Sequence, residues 1–335
     1  MDALSQLSPE SSGSEGNISA LHPDIVQTRI LTLLDGPTLT SIGCASPEFH
    51  ALSTEESLWK NICASTWPST DDPLVNGVVS TFAAGHRTLF SDAYPLIHGK
   101  RKSNLNNEVT ATQGLISAVD IYYQNVPIFS KVVETETVTE WFMCSPFRIE
   151  LLEPKDYSQT WDESDVEKEN QWIKQLEENI TLSWIVIDPE LKRAVNVSSE
   201  RPVSVSKHWL TGEAEMKFAT IVEWEREPVK WEVVVACGGK EGGEADVTEV
   251  SMGIEDMEGK RLNGKDSLVI LRGAMEGGER RKRKEGVERE RYEEFTEGRR
   301  VWRERRRRRE NALDMLCITV GLTLIVSFGC FIWLW

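Results

Sequence analysis

Four helix starts crowd into residues 21–63, and they limit what the chain can fold into more than any other stretch. Ile25, Val26, Ile30, Leu33 and Leu34 follow a repeat of three to four residues, Asp24 suits the start of that run, and Asp35-Gly36 ends it. Pro37 fits the first turn of a second helix whose apolar residues are Leu39, Ile42 and Ala45. Ser46-Pro47-Glu48 reads as an N-cap followed by a proline whose missing N–H is harmless at that position. Ser53, with Glu56 three residues on, has the form of a capping box ahead of Leu58, Trp59 and Ile62. Helices this short cannot bury all their apolar faces against one another, because so small a unit has too much surface for its volume. Some of the Leu and Ile side chains are therefore expected at an interface with a partner.

The series Leu21-His22-Pro23-Asp24-Ile25, Ile30-Leu31-Thr32-Leu33-Leu34, Leu39, Cys44 and Leu58-Trp59 resembles an F-box, the motif that docks substrate receptors onto a Skp-type adaptor of cullin ubiquitin ligases. Further on, Ser65-Thr66-Trp67-Pro68-Ser69, Leu89-Phe90-Ser91-Asp92-Ala93-Tyr94-Pro95 and Leu182-Ser183-Trp184-Ile185-Val186-Ile187-Asp188-Pro189 resemble a family of plant F-box proteins. The resemblance implies a non-catalytic receptor without a cofactor. Such a receptor binds the Skp-type adaptor, reaches a cullin through it, and presents a protein substrate of unknown identity for ubiquitination. It also implies that Leu21, Pro23, Ile25, Ile30, Leu31, Leu34, Leu39 and Trp59 support the adaptor contact, directly or by shaping the helices.

Charge narrows the class of partner. The net charge is −16, although residues 276–310 carry fifteen Lys and Arg against ten Glu, so the chain ahead of them is still more acidic. Such a protein is a poor nucleic-acid binder on electrostatic grounds. The six cysteines have no C-x-x-C spacing and the five histidines match no zinc pattern, so no metal and no disulfide framework is expected. Residues 1–20 are rich in Ser, Glu and Gly and lack the basic start and apolar centre of a signal peptide, which fits a reduced cytosolic setting.

Beyond residue 63, Trp67-Pro68 and Asp71-Asp72-Pro73 mark a loop before an apolar stretch through Phe82, Leu89, Phe90 and Tyr94, expected to lock the first helices onto the rest of the chain. Lys100-Arg101-Lys102 and the polar residues after it read as a linker. From Leu115 the period changes to short runs rich in β-branched and aromatic residues, at 121–123, 129–133, 138–144, 147–152, 182–187, 194–197, 203–205, 218–224 and 231–236. Residues 165–179 interrupt them with helical composition, Trp172 and Leu176 lying one turn apart. The glycines at 238–243 lack the Gly-Lys-Ser/Thr ending of a phosphate cradle and read as a hairpin loop. Asn263-Gly264 is a hairpin signal that makes 268–271 the expected final strand.

Residues 276–310 are expected to form a long solvated helix. The stretch from Met315 to Trp335 has no charged residue, and as a helix it would measure about 30 Å, the thickness of a bilayer's hydrocarbon core. Trp333 and Trp335 stand where interfacial aromatics are expected, and the arginines at 305–309 favour a cytosolic near side. A tail-anchored, single-pass membrane protein with its N-terminal bulk in the cytosol is the expected topology. The basic runs also match nuclear-import sequences, which leaves the nuclear envelope or the nucleus open as destinations.

The expected fold class is α+β, with a small helical F-box, a mainly antiparallel β domain, a charged helix and a C-terminal transmembrane helix. The expected divisions are a disordered tail at 1–20, the F-box at 21–65, a connecting region at 66–109, a β-rich substrate-recognition domain at 110–275, the charged helix at 276–311 and the anchor at 312–335. The alternative function is a membrane-attached scaffold whose β domain binds a carbohydrate or peptide. Trp141, Trp161, Trp172, Trp184, Trp209, Trp224 and Trp231 would be its candidate stacking residues.

Overall fold

Most of the short N-terminal helices begin where a side chain accepts from a free backbone N–H. The computed structural model describes residues 22–97, 113–152, 166–208, 213–224, 227–239, 245–281 and 286–335. Helix α1 (Pro23–Ile25) is capped by His22 and carries Asp24 in its first turn, and it runs on as a π-helical turn, Val26–Ile30, and a 3-10 turn, Leu31–Leu33. Asp35 accepts from the Thr38 N–H at 3.0 Å to start α2 (Gly36–Gly43), and Ser46 accepts from Phe49 at 3.2 Å to start α3 (Pro47–Ser53). Helix α4 (Glu56–Thr66) departs from expectation. Ser53 ends α3, its hydroxyl bonded to the His50 carbonyl, and α4 starts after Glu55 with no capping box. The Glu56 carboxylate turns instead to α6 (Gly85–Ala93), where it meets His86 Nδ1 at 2.5 Å, while Asp72 caps the intervening α5 (Pro73–Val79).

Two antiparallel sheets come next. The four-stranded sheet has the order β3 (Val126–Glu136), β2 (Gly114–Tyr123), β5 (Ile180–Asp188), β6 (Arg193–Asn196). The five-stranded sheet has the order β4 (Arg148–Leu152), β10 (Ala245–Glu255), β9 (Glu227–Gly239), β8 (Ala214–Trp224), β7 (Ser204–Lys207). A two-residue strand, β1 (Leu96–Ile97), pairs with β11 (Arg280–Arg281).

The period of two along β2 and β5 decides where the cores lie, since alternate side chains point to opposite faces. Leu115, Val119 and Ile121 of β2, with Leu182, Trp184 and Val186 of β5, join Phe218, Trp231, Val233 and Val235 in a core shared with the five-stranded sheet. The intervening Ile116, Ala118, Ile185 and Ile187 belong to a second core with Leu31, Leu39, Trp59, Trp67 and Phe90. The central strands β2 and β5 are thus buried on both faces, and the sheet forms one wall of the inter-sheet core and one wall of the helical core. The stretch from Trp67 to Tyr94 is packing, as expected: Trp67 and Phe90 lie 5.5 Å apart between ring centroids inside the helical core.

Three other segments depart from the expected elements. Residues 268–271 are helical, not strand: Asn263 accepts from the Asp266 N–H at 2.8 Å and caps α9 (Gly264–Gly277), whose Leu268, Ile270, Leu271 and Met275 enter the inter-sheet core. The run at 138–144 holds α7 (Glu140–Cys144), because Thr139 caps the Phe142 N–H. The charged helix α10 (Val287–Trp333) starts later than expected, and Arg280 and Arg281, ahead of it, are strand. Helix α8 (Val166–Asn179) stands where the sequence placed it. The linker at 100–107 and the glycine loop at 240–243 lie outside the described residues, although β9 and β10, on either side of that loop, do pair as a hairpin.

Candidate functional site

The first helical segment presents the exposed apolar surface that the sequence called for. Thr28 and Thr32 each donate a hydroxyl hydrogen bond to the carbonyl four residues back, to Asp24 at 2.6 Å and to Thr28 at 3.0 Å. Such bonds compete with the regular helical ladder and bend it, and here the backbone closes instead from the Leu31 N–H to the Val26 carbonyl. The altered winding sends Val26 and Leu31 inward, where both are buried, and leaves Ile25 49% and Leu33 82% exposed. Pro23 is exposed beside them, while Ile30 and Leu34 lie half-buried against the helical core. Along this segment Pro23, Ile25 and Leu33 are exposed and Ile30 and Leu34 half-buried, an apolar strip in sequence.

The residues expected to support a partner contact divide by burial. Leu31, Leu39 and Trp59 are sealed in the helical core, where Trp59 donates its indole N–H to the Ser53 carbonyl at 2.7 Å and its ring lies 5.3 Å from that of Phe90. They hold the strip in place from beneath and offer no surface of their own. Leu21 lies outside the described residues. Leu33, not among the expected contact residues, is 82% exposed. A signal for it was present: four apolar residues within 30–34 cannot all lie on one side of a helix, so one of them must face out.

A carboxylate fixes this helical unit to the rest of the molecule. Asp92, buried at the end of α6, accepts from Arg193 Nε at 2.7 Å and Nη2 at 2.9 Å, from the Ala194 N–H at 3.1 Å, and from Arg280 Nη1. It joins the helices to β6 and to the short strand ahead of α10. The hydrogen bonds that Arg193 donates to Asp92 raise its guanidinium pKa above the usual value. Asp120 does similar work at the other end of the wall, accepting from Ser69 N–H at 2.9 Å, Ser69 Oγ at 2.5 Å and Ser130 Oγ at 2.8 Å. Burial raises its pKa, and the three donors partly offset the rise.

The other chemistries find less support in the geometry. Burial pushes the thiols of Cys63 and Cys237 up to about 12, so neither supplies a thiolate near neutrality. Among the described residues no group of His, Cys, Asp and Glu is arranged to hold a metal. Trp184 and Trp231 are buried and Trp172 and Trp224 half-buried, while Trp161 and Trp209 lie outside the described residues. Trp141, 79% exposed, does not form part of an aromatic platform with the other described tryptophans. At the opposite end of the chain the apolar part of α10 is exposed along its length, long and apolar enough to cross a membrane.

Over 94% of its length the chain is 43% identical to F-box protein At2g27310 of Arabidopsis thaliana, covering 96% of that protein. It is 41% identical to F-box protein At3g44326 of the same plant over 96% of its length, covering 92% of the relative. With the probable F-box protein At2g36090, also of Arabidopsis thaliana, it shares 43% identity over 93% of both chains. No family model matches the sequence, and no solved structure matches it.

Proposed function

The chain belongs to the plant F-box protein family, and on that premise we propose that it is a substrate receptor of a Skp–cullin–F-box ubiquitin ligase. The observation that carries this reading is the apolar strip on the first helical segment, held outward by a core that buries Leu31, Leu39 and Trp59. A monomer gains nothing by exposing Ile25 and Leu33, whereas a Skp-type adaptor would cover them. The strip docks the adaptor, the adaptor brings the cullin, and the β-rich region at 110–275 holds the protein substrate. The chain itself performs no bond chemistry. Its contribution is to raise the effective concentration of substrate lysines near the ubiquitin-conjugating enzyme.

The apolar end of α10 spans a membrane in this reading. The arginines at 305–309 hold its near side in the cytosol under the positive-inside bias, which leaves the F-box on the side of the cullin machinery.

The test uses Ile25→Ala combined with Leu33→Ala, because both side chains face solvent and neither holds the core together. Truncating one well-covered aliphatic anchor costs about 2 kcal/mol, roughly thirtyfold in affinity. Co-purification with a Skp-type adaptor should be lost in the double variant while its thermal unfolding stays unchanged. Wild-type adaptor binding in a folded double variant would show that the contact lies elsewhere.

A further inference from the structure

Helix α10 is one unbroken helix from Val287 to Trp333, so no loop separates the body of the protein from the apolar end. Its charged half is fastened to the body by a ladder of contacts that can be followed in order. Arg289 pairs with Glu177 of α8 at 2.8 Å, and Lys230 of β9 lies 5.9 Å from the centre of the Tyr292 ring. Arg299 reaches Glu255 at the end of β10 at 3.4 Å. Arg303 donates to the Glu258 carbonyl at 3.2 Å, and Arg306 pairs with the Glu258 carboxylate at 2.9 Å. The turn at 256–260 can approach this closely because Gly259 has φ +85° and no side chain to meet the Arg299 guanidinium.

The ladder gives the helix a heading. It passes β9 and then β10, and the next strand in that sheet is β4, at the edge. Helix α7 leads directly into β4 and is tied to the same end of the sheet: Gly264 N–H donates to the Ser145 carbonyl at 3.1 Å, and Phe147 N–H to the Leu262 carbonyl at 2.7 Å. On α7 and just before it stand Trp141 and Val138, both exposed. The turn held by Arg306 is nine residues from Met315, about 14 Å along the helix. A headgroup layer takes up about 5–8 Å of that distance, and β4 is the next strand on the helix's heading.

We infer that Trp141, with Val138, is a second membrane contact, resting in the headgroup layer of the leaflet that α10 enters. This inference rests on the membrane span proposed above. The occupant is a lipid surface because the helix that carries the body enters one, and because the side chain offered is an indole, which favours the interface between headgroups and acyl chains. Exposed arginines at 305 and 307–309 surround the point of entry and match anionic headgroups. The ligase body would then stand in a fixed attitude on the membrane and would not swing on a tether.

The experiment reconstitutes the full-length chain in vesicles of phosphatidylcholine and phosphatidylserine, with p-benzoyl-phenylalanine replacing Trp141. Val126 is the comparison site: it is exposed, but its hairpin bonds through Gln124 to Asn179, at the end of the body that holds the first turn of α10. Illumination should give a lipid adduct from position 141 and none from 126. A seven-residue helical insertion after Arg309 lifts the body by about 10 Å on nearly the same face and should abolish the adduct. Vesicle-bound protein without an adduct at 141 would overturn the second contact and leave the span intact. An adduct that survives the insertion would overturn the fixed attitude, and failure to bind vesicles at all would overturn the span and this inference together.

Discussion

Removing the carboxylate of Asp92 would leave the guanidinium groups of Arg193 and Arg280 and the Ala194 N–H without their shared acceptor, Arg280 keeping only its contacts to the Ala194 and Met275 carbonyls. Breaking a buried pair from one side costs about 3–5 kcal/mol, and the partial exposure of Arg193 places Asp92→Ala near the lower figure. Asp92→Asn keeps one acceptor oxygen and should cost less; denaturant midpoints of the two variants against wild type check the order. Asp120 calls for a pH experiment. Its folded-state pKa is raised, chiefly by burial, so its stabilising contribution is present when the group is protonated and is lost as pH climbs from the ordinary carboxylate range through the raised value. Asp120→Asn does not titrate and keeps an acceptor for the Ser69 and Ser130 donors. The stability of wild type relative to this variant should therefore fall between acid and neutral pH. A flat difference across that range would mean that Asp120 titrates normally in the folded protein.

At the level of elements, the sequence was most legible where a side chain had only one chemical use. Ser46 capped the helix it preceded, and the run at 203–205 fell within β7 and the segment leading into it, whereas Asp35, read as the end of the first run, is also the N-cap of α2. Asn263-Gly264 misled because the pair serves two structures: Asn in a type I′ hairpin turn, or Asn as an N-cap with Gly free to sit close to a neighbour. Here a Cβ on Gly264 would run into the Phe142 carbonyl, so packing against α7 settled what the local sequence left open. Asn263→Asp should leave stability nearly unchanged and Asn263→Ala should cost about 1 kcal/mol, as for an N-cap, measured by thermal unfolding. Ser53 was a similar case: its hydroxyl could cap α4 or bond within α3, and the Trp59 indole, bonded to the Ser53 carbonyl, favours the second. The ion pairs of Asp92 with Arg193 and Arg280 span more than a hundred positions, and local pattern carries no trace of partners so far apart.

For the molecule as a whole, the uncharged end of the chain was legible from composition, while the docking of the charged half of α10 was not. Interleaved Glu and Arg look solvated in sequence, yet Arg299 and Arg306 are spent on the body. The full chain should resist alkaline carbonate extraction from membranes, and a chain stopped after Glu310 should be released as soluble, folded protein. Carbonate-soluble full-length chain would refute the span. The sheet that serves both cores also sets how far this protein can be taken apart. Since Ile116, Ala118, Ile185 and Ile187 line the helical core, a graft of residues 22–66 onto a foreign body would arrive with its inner wall missing. The helical unit and the sheets therefore form one piece, and under the proposed function a new specificity would arise by changing loops on the existing frame, not by exchanging modules.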